Sequence, residues 1–101
     1  MAYHLLIQSN QERALEQTMQ LRRENKPIKQ IFFYFQGIDQ ALTMTLAEKW
    51  VTLTSLSNQL KICKTAWMEK GNPPLPNGFV LSSLIDFFAA HWEDQGILLQ
   101  L

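Results

Sequence analysis

The chain has 101 residues, of which 47% are hydrophobic, and its nine basic and nine acidic residues give a formal net charge of zero. This length fits one small domain, and the neutral balance argues against broad nucleic-acid binding, which requires a net positive face. A single cysteine excludes an internal disulfide, and no apolar stretch approaches the ~20 residues of a membrane span, so we expect a cytoplasmic protein.

The first element along the chain is a predicted strand at residues 3–7, followed by a helix. Ser9 and, three residues later, Glu12 match a capping box, in which each side chain satisfies a free backbone N–H of the other residue. Pro27 ends this helix, because the residue before a proline avoids the helical conformation. The inner face of the helix is expected to consist of Ala14, Leu15, Thr18, Met19 and Leu21.

Residues 28–35 predict the second strand, and their aromatic end indicates burial on both faces, as in parallel sheets. Gly37 breaks this strand, and Asp39 is placed to cap the next helix. Apolar residues then recur every three or four positions, which predicts one amphipathic helix. Those residues are Leu42, Leu46, Trp50, Leu53 and Leu56.

The second half of the chain predicts a third strand at 59–63, which runs straight into a short helix at 64–70. The segment 72–79 contains three prolines and is expected to form a surface loop. A last helix and a final strand at 97–101 complete the chain order. The last helix is defined by the spacing of Leu81, Leu84, Ile85, Phe88 and Trp92.

Strands and helices alternate along this chain, which predicts a single α/β domain over residues 1–101. We expect about four parallel strands with helices on both faces, in a flavodoxin-like order that makes the first and third strands neighbours. Ligands and reactive groups of such sheets gather beyond the carboxyl ends of the strands, where the strand order reverses. Cys63 ends the third strand, so it is expected at that point.

Cys63 is the strongest candidate for chemistry, although free cysteine is also among the most buried residue types. Free N–H groups of the helix that begins near Lys64 would point at its sulfur and favour the reactive thiolate. Lys61 and Lys64 flank Cys63 and add positive potential. The residues themselves leave open whether this cysteine is a core residue or a reactive thiol.

The remaining candidates are weaker. His4 and His91 are expected to be structural or solvent-facing, and they do not have the spacing of a zinc site with the single cysteine. Tyr34 ends the second strand, where its hydroxyl could face the crevice beside Cys63. No Walker or G-x-G-x-x-G pattern is present, so nothing predicts a nucleotide-phosphate site.

Three segments in this order resemble the DsrE-like sulfur-relay family, and most closely its TusD/DsrE branch. "IFFYFQGI" at 31–38 is similar to the branch's aromatic second strand and its Gly-containing turn. "LKICKTAWMEKG" at 60–71 is similar to its strand, reactive cysteine, short helix and glycine. "NGFVLSSLIDFFAAHWEDQGILLQL" at 77–101 is similar to its Gly-Phe loop, Leu-Ser-x-Leu helix and closing strand.

The resemblance implies a cytoplasmic persulfide carrier that needs no metal or organic cofactor. A cysteine at the place of Cys63 would take sulfane sulfur from a TusA-like donor and pass it to a partner thiol. The route would feed 2-thiouridine formation in tRNA or sulfur oxidation. Gly78 and Phe79 would then shape the wall of the crevice, with Lys61 and Lys64 as electrostatic helpers.

Two other functions compete with this one. The chain could be a non-catalytic assembly subunit with Cys63 as a core residue, or a redox sensor that forms a sulfenic acid. In either case we expect an oligomer, a trimer or hexamer by resemblance. The closing strand lacks the charges that blunt an edge, so it should be central or covered by a partner. Large apolar area for an interface would come from Trp50, Trp67 and Trp92.

Overall fold

A five-stranded sheet, in which every neighbouring pair of strands is parallel, forms the centre of the molecule. The computed structural model describes residues 2–54 and 60–101. The spatial order of the strands is β4-β3-β2-β1-β5. The α/β class with a parallel sheet is therefore confirmed. The strands are β1 (Tyr3–Ile7), β2 (Ile28–Phe33), β3 (Leu60–Cys63), β4 (Phe79–Ser82) and β5 (Ile97–Gln100).

The expectation of about four strands is wrong, because it overlooked β4. This strand has only four residues and lies directly between the proline-containing loop and the last helix. Leu81 was assigned to that helix by its spacing, but it lies in β4, and the helix begins at Leu84. A strand this short adds too few alternating positions to be separated from a helical pattern that follows at once.

The predicted strand order is also wrong, because β2 separates β1 from β3. From β1 the chain adds β2, β3 and β4 in succession on one side, and then returns to place β5 beside the other edge of β1. The order therefore reverses between β1 and β5. Cys63, at the end of β3, does not lie at that reversal point.

The second predicted helix is divided in two. Thr43 interrupts it with an extended backbone, φ −93° and ψ 118°, so the continuous ridge from Leu42 onward does not form. Asp39 is the first residue of the shorter helix and does not cap it, and Leu56 lies outside the described residues. The helices are α1 (Glu12–Arg23), α2 (Asp39–Leu42), α3 (Met44–Thr54), α4 (Lys64–Glu69) and α5 (Leu84–Asp94), with a 3-10 turn at Phe35–Ile38.

The capping box predicted at the start of the first helix is not formed. The Ser9 hydroxyl accepts a hydrogen bond from the backbone N–H of Gln11 at 3.0 Å, two residues away. Gln11 occupies the capping position of α1, and its side chain makes no capping bond. The serine therefore stabilises the turn before the helix, and α1 starts at Glu12.

The two faces of the sheet have unequal covers. Helices α1 to α4 pack on one face, where Trp50 and Trp67 are completely buried among strand residues such as Phe33. Of the described helices, only α5 packs on the other face, where Phe87 meets Leu6 and Phe32. The alternation of side chains along each strand separates these two groups. We call them the four-helix face and the α5 face.

Gly37 joins the turn after β2 to the end of β1. A Cβ atom at this position would overlap the carbonyl oxygen of Ile7, so only glycine permits the approach. The same carbonyl accepts a hydrogen bond from the backbone N–H of Tyr34 at 3.0 Å. These contacts fix the chain at the carboxyl ends of β1 and β2, the edge where the candidate site lies.

Within residues 2–54 and 60–101, no helix is both long enough and apolar enough to cross a membrane.

Candidate functional site

Cys63 lies at the carboxyl edge of the sheet, where β3 ends and α4 begins. Its side chain is on the α5 face and packs against the cluster of Leu6, Phe32 and Phe87. The residue is half-buried, which leaves part of it in contact with solvent. Other half-buried residues that pack against the same cluster are Tyr34, Leu84, Phe88 and Leu98.

The sulfur of Cys63 does not receive the helix N–H groups that the sequence predicted. Cys63 occupies the capping position of α4, but its side chain makes no capping hydrogen bond. The reason is the direction of the side chain. Cys63 faces α5, whereas α4 packs on the opposite face of the sheet through the buried Trp67.

The two flanking lysines differ in their surroundings. Lys64 is exposed at the first position of α4. Lys61 is half-buried on the same face as Cys63, but its Nζ donates a hydrogen bond to Oε1 of Gln30 at 2.9 Å. Lys61 is paired with Phe32, and Gln30 lies two residues nearer the amino end of β2, so the ammonium group is directed away from the thiol.

Tyr34 is the predicted neighbour that the structure does bring to the region of Cys63. It follows β2, is half-buried, and packs against the same α5-face cluster as the cysteine. Its ring is 6.2 Å from that of Phe32 and is stacked on Phe35 at 4.4 Å between ring centres. The ring of Tyr34 is therefore held between the core and an exposed aromatic residue.

Gly78 and Phe79 are not brought together with the cysteine. Phe79 begins β4 and pairs with Leu60, whereas Cys63 pairs with Ser82 at the other end of the same two strands. The ring of Phe79 is buried in the four-helix core, 5.7 Å from that of Phe33. Gly78 precedes it with φ +92°. The two residues thus lie at the opposite end of the sheet and do not form a wall beside the thiol.

A chain of polar side chains, buried at Gln30 and His4, crosses the α5 face, and the sequence patterns did not predict it. The chain begins at Lys61, which donates to Oε1 of Gln30. The amide Nε2 of Gln30 then donates to Nδ1 of His4 at 2.8 Å and to the carbonyl of Phe87 at 2.9 Å. His4 is fully buried, and its Nε2 is 2.9 Å from Oδ2 of Asp94. Because Nδ1 accepts from an amide, the proton of the neutral imidazole is on Nε2 and is donated to Asp94.

The sequence contains one signal for this chain. His4 and Gln30 are polar residues within otherwise apolar strands, and the register places them side by side. Because burying unpaired polar groups is unfavourable, two such positions indicate a pair. Pairing them requires the adjacency of β1 and β2, and the predicted strand order did not provide it.

The same bond perturbs Asp94. The hydrogen bond from His4 is the main cause that lowers the pKa of the Asp94 carboxyl from its ordinary value of 3.8, while partial desolvation opposes the shift. The positive charges of Lys29 and of the amino terminus act in the same direction as the hydrogen bond. Asp94 is therefore an ionised acceptor that orients a buried histidine.

Neither histidine is a partner for the thiol. Both nitrogens of His4 are engaged by Gln30 and Asp94. Nε2 of His91 is 3.0 Å from the carbonyl oxygen of Gly96, and its ring is 5.1 Å from that of His4. These contacts agree with the expected structural role of both residues.

A cleft of about 650 Å³ lies beyond the carboxyl ends of β1 and β2. Phe35 lines it and is 67% exposed, with a left-handed backbone at φ 52°. Lys70 and Asp39 form an ion pair of 3.8 Å at its wall. Cys63 is not among the lining residues, so the stacked rings of Phe35 and Tyr34 stand between this cleft and the α5-face cluster that holds the thiol.

In the described part of the chain, no group of three His, Cys, Asp or Glu side chains is arranged to hold a metal ion. The sequence matches no protein-family model and none of the curated proteins. The resemblance to the DsrE-like family therefore stays a prediction that rests on the three quoted segments.

Proposed function

We propose that this chain is a sulfur-relay protein that carries sulfane sulfur on Cys63 as a persulfide. The observation that carries the proposal is the position of Cys63, which is half-buried at the carboxyl edge of a parallel sheet where a strand meets a helix. Cys63 is also the only cysteine in the chain. The resemblance of residues 60–71 to the reactive-cysteine segment of the DsrE-like family supports the same role.

The transfer is an exchange between sulfur atoms with no net oxidation. The Cys63 thiolate attacks the outer sulfur of a donor persulfide, so a new S–S bond forms on Cys63 as the donor S–S bond breaks. The bond's electron pair leaves with the donor thiolate, which takes up a proton. An acceptor thiolate then attacks the outer sulfur of the Cys63 persulfide and regenerates the Cys63 thiolate. No metal or organic cofactor takes part.

The surroundings of Cys63 suit a carrier. Cys63 packs against the apolar cluster of Leu6, Phe32 and Phe87 on one side, and the residue keeps part of its surface in solvent, where a partner thiol could approach. Lys64, next in sequence and exposed, supplies positive potential at the entrance. By resemblance, the donor is TusA-like, the acceptor is a downstream protein of tRNA thiolation or sulfur oxidation, and the complex is an oligomer in the cytoplasm.

The test is the intact mass of the protein after incubation with a persulfide-loaded TusA-like carrier. The wild-type chain should gain one sulfur atom, and Cys63→Ser should gain none. Lys49→Ala is the matched control, because it keeps the thiol and removes an exposed charge of α3, on the opposite face of the sheet, so it should still be loaded. Equal thermal unfolding of wild type and Cys63→Ser shows that the fold is intact. A serine variant that still gains sulfur, or a wild type that gains none, contradicts the proposal.

A second candidate is an assembly subunit in which Cys63 is a core residue. Two observations favour it: the ammonium group of Lys61 is bound to Gln30, and the cysteine sulfur makes no capping bond with α4. Reaction with a thiol reagent separates the two functions. A carrier should be alkylated in the folded state, whereas a core cysteine should react only at denaturant concentrations that unfold the protein.

A further inference from the structure

The outer face of α5 carries two large apolar side chains in solvent. Ile85 is 80% exposed and Trp92 is 77% exposed. They are seven residues apart, so they lie on the same side of the helix, two turns from each other. Trp50 and Trp67 are buried in the four-helix core, so among the three tryptophans only Trp92 offers its ring to another molecule.

The charged residues are also distributed unevenly along the chain. Residues 71–101 contain no lysine or arginine and three acidic residues, a formal charge of −3. Residues 1–70 contain all nine basic residues and six acidic ones, a formal charge of +3. The zero net charge therefore conceals an acidic α5 region. Its acidic side chains are Asp86, Glu93 and Asp94.

The acidic residues of α5 disfavour a symmetric dimer in which the α5 helices of two copies pack on each other about a two-fold axis. An antiparallel pair would place Ile85 of one copy on Trp92 of the other. The same geometry brings Asp86 of one copy towards Glu93 of the other, which juxtaposes like charges. The surface that fits α5 is apolar at its centre and basic at its rim.

The opposite face of the same chain has a groove that meets this requirement at one of its two ends. A groove of about 540 Å³ runs between α1 and α3, with Leu15 and Met19 among its lining residues. Arg23, in the last turn of α1, and Lys49 of α3 line it as well. Glu12 and Glu16 line the part near the start of α1. The basic end of the groove is therefore the end that contains Met19.

We propose that α5 of one copy docks into the α1–α3 groove of a second copy, with Trp92 over Met19. Glu93, the next residue, then comes within reach of Arg23 or Lys49 of the second copy. Because the two surfaces lie on opposite faces of the sheet, the contact is head to tail, and each added copy leaves one free α5 surface and one free groove. The proposed contact does not involve Cys63, so its test is independent of the test of sulfur transfer.

The experiment is sedimentation of the full chain at micromolar concentration, in low and high salt. The wild type should form species larger than a dimer, and these should dissociate more readily in high salt, because screening weakens the contact between Glu93 and the basic end of the groove. Two double variants each break one surface. Ile85→Ser with Trp92→Ser breaks the α5 surface, and Arg23→Glu with Lys49→Glu breaks the groove. Each should weaken self-association about tenfold or more, because central aromatic anchors and paired charges dominate such interfaces.

The decisive sample is an equimolar mixture of the two double variants. A head-to-tail contact leaves one intact interface, so the mixture should form a one-to-one dimer and nothing larger. A mixture that stays monomeric, or a wild type that is monomeric at these concentrations, overturns the proposal. If a double variant unfolds, the same mixing experiment is carried out with the single variants Trp92→Ser and Arg23→Glu. Cys63→Ser is the control that should associate like the wild type.

Discussion

Among the residues that the structure describes, each face of the sheet buries one glutamine, and the two glutamines have different partners. On the four-helix face, Nε2 of Gln40 donates to the carbonyl oxygens of Ser9 and Gln11, and its Oε1 accepts from the indole N–H of Trp50. On the α5 face, Gln30 is bonded to the side chains of His4 and Lys61. The amide of Gln40 thus binds backbone groups of the segment before α1 to the buried core, whereas the amide of Gln30 connects ionisable side chains.

The difference follows from the unequal cover of the two faces. Four helices supply enough apolar surface to enclose the strands on one side, and a single glutamine satisfies the backbone groups left at the edge. One helix cannot enclose the other side, so the strands there carry polar residues that satisfy one another. We infer that stability resides mainly in the first face, and that the second face responds to pH and to partners.

The largest expected effect is on the four-helix face. Trp50→Ala should lower the free energy of unfolding by about 3–5 kcal/mol, because it empties a fully buried site and removes a donor to Gln40. Trp92→Ala is the matched control on α5 and should change the value by less than about 0.5 kcal/mol at concentrations where the chain is monomeric. Urea denaturation measures both. Similar losses for the two variants would contradict the assigned difference between the faces.

An intermediate effect is expected from Gln30→Leu. The variant leaves Nδ1 of His4 and the carbonyl of Phe87 without their donor. We expect a loss of about 2–3 kcal/mol, because a buried polar group left unsatisfied costs at least about 1 kcal/mol. Gln36→Leu removes an exposed glutamine and is the control. Denaturant midpoints compare the two. If Gln30→Leu is as stable as the control, the polar chain does not hold α5 on the sheet.

The smallest effect is a pH dependence confined to the α5 face. Because the bond with His4 lowers the folded-state pKa of Asp94, the stabilisation is present above the ordinary value of 3.8 and is lost as the pH falls through the folded value. Between about pH 5 and pH 3, the wild type should therefore lose more stability than Asp94→Asn. Asp86→Asn, on the same helix, should follow the wild type. Parallel curves for wild type and Asp94→Asn would exclude this contribution.

Much of the fold could be predicted from residue periodicity. Strands β1, β2 and β5 and helices α1 and α4 have strong local patterns and lie close to their predicted positions. The missed strand β4 and the break at Thr43 are decided by packing across the sheet, which local spacing does not report. Strand order depends on contacts between distant parts of the chain. The alternation of strands and helices therefore predicted the α/β fold class but not which strands lie beside β1.

The candidate site was less predictable than the fold. The position of Cys63 at a strand–helix junction was visible in the sequence, but the direction of its side chain depends on which sheet face each helix covers. For the same reason Lys61 was assigned to the thiol, whereas a glutamine on the neighbouring strand binds its ammonium group. Sequence distance alone could not show that Gly78 lies at the other end of the sheet.

The pairing of β1 with β5 also constrains how the molecule folds. Tyr3 pairs with Ile97, 94 positions later in the chain. During synthesis β1 therefore emerges long before β5. Until then, the backbone groups on the edge of β1 that β5 will occupy have no hydrogen-bond partner in the sheet. Such long-range pairing is slow to form and leaves an open edge exposed to other nascent chains. The newly made chain therefore carries an unpaired strand edge at β1 until residues 97–100 reach it.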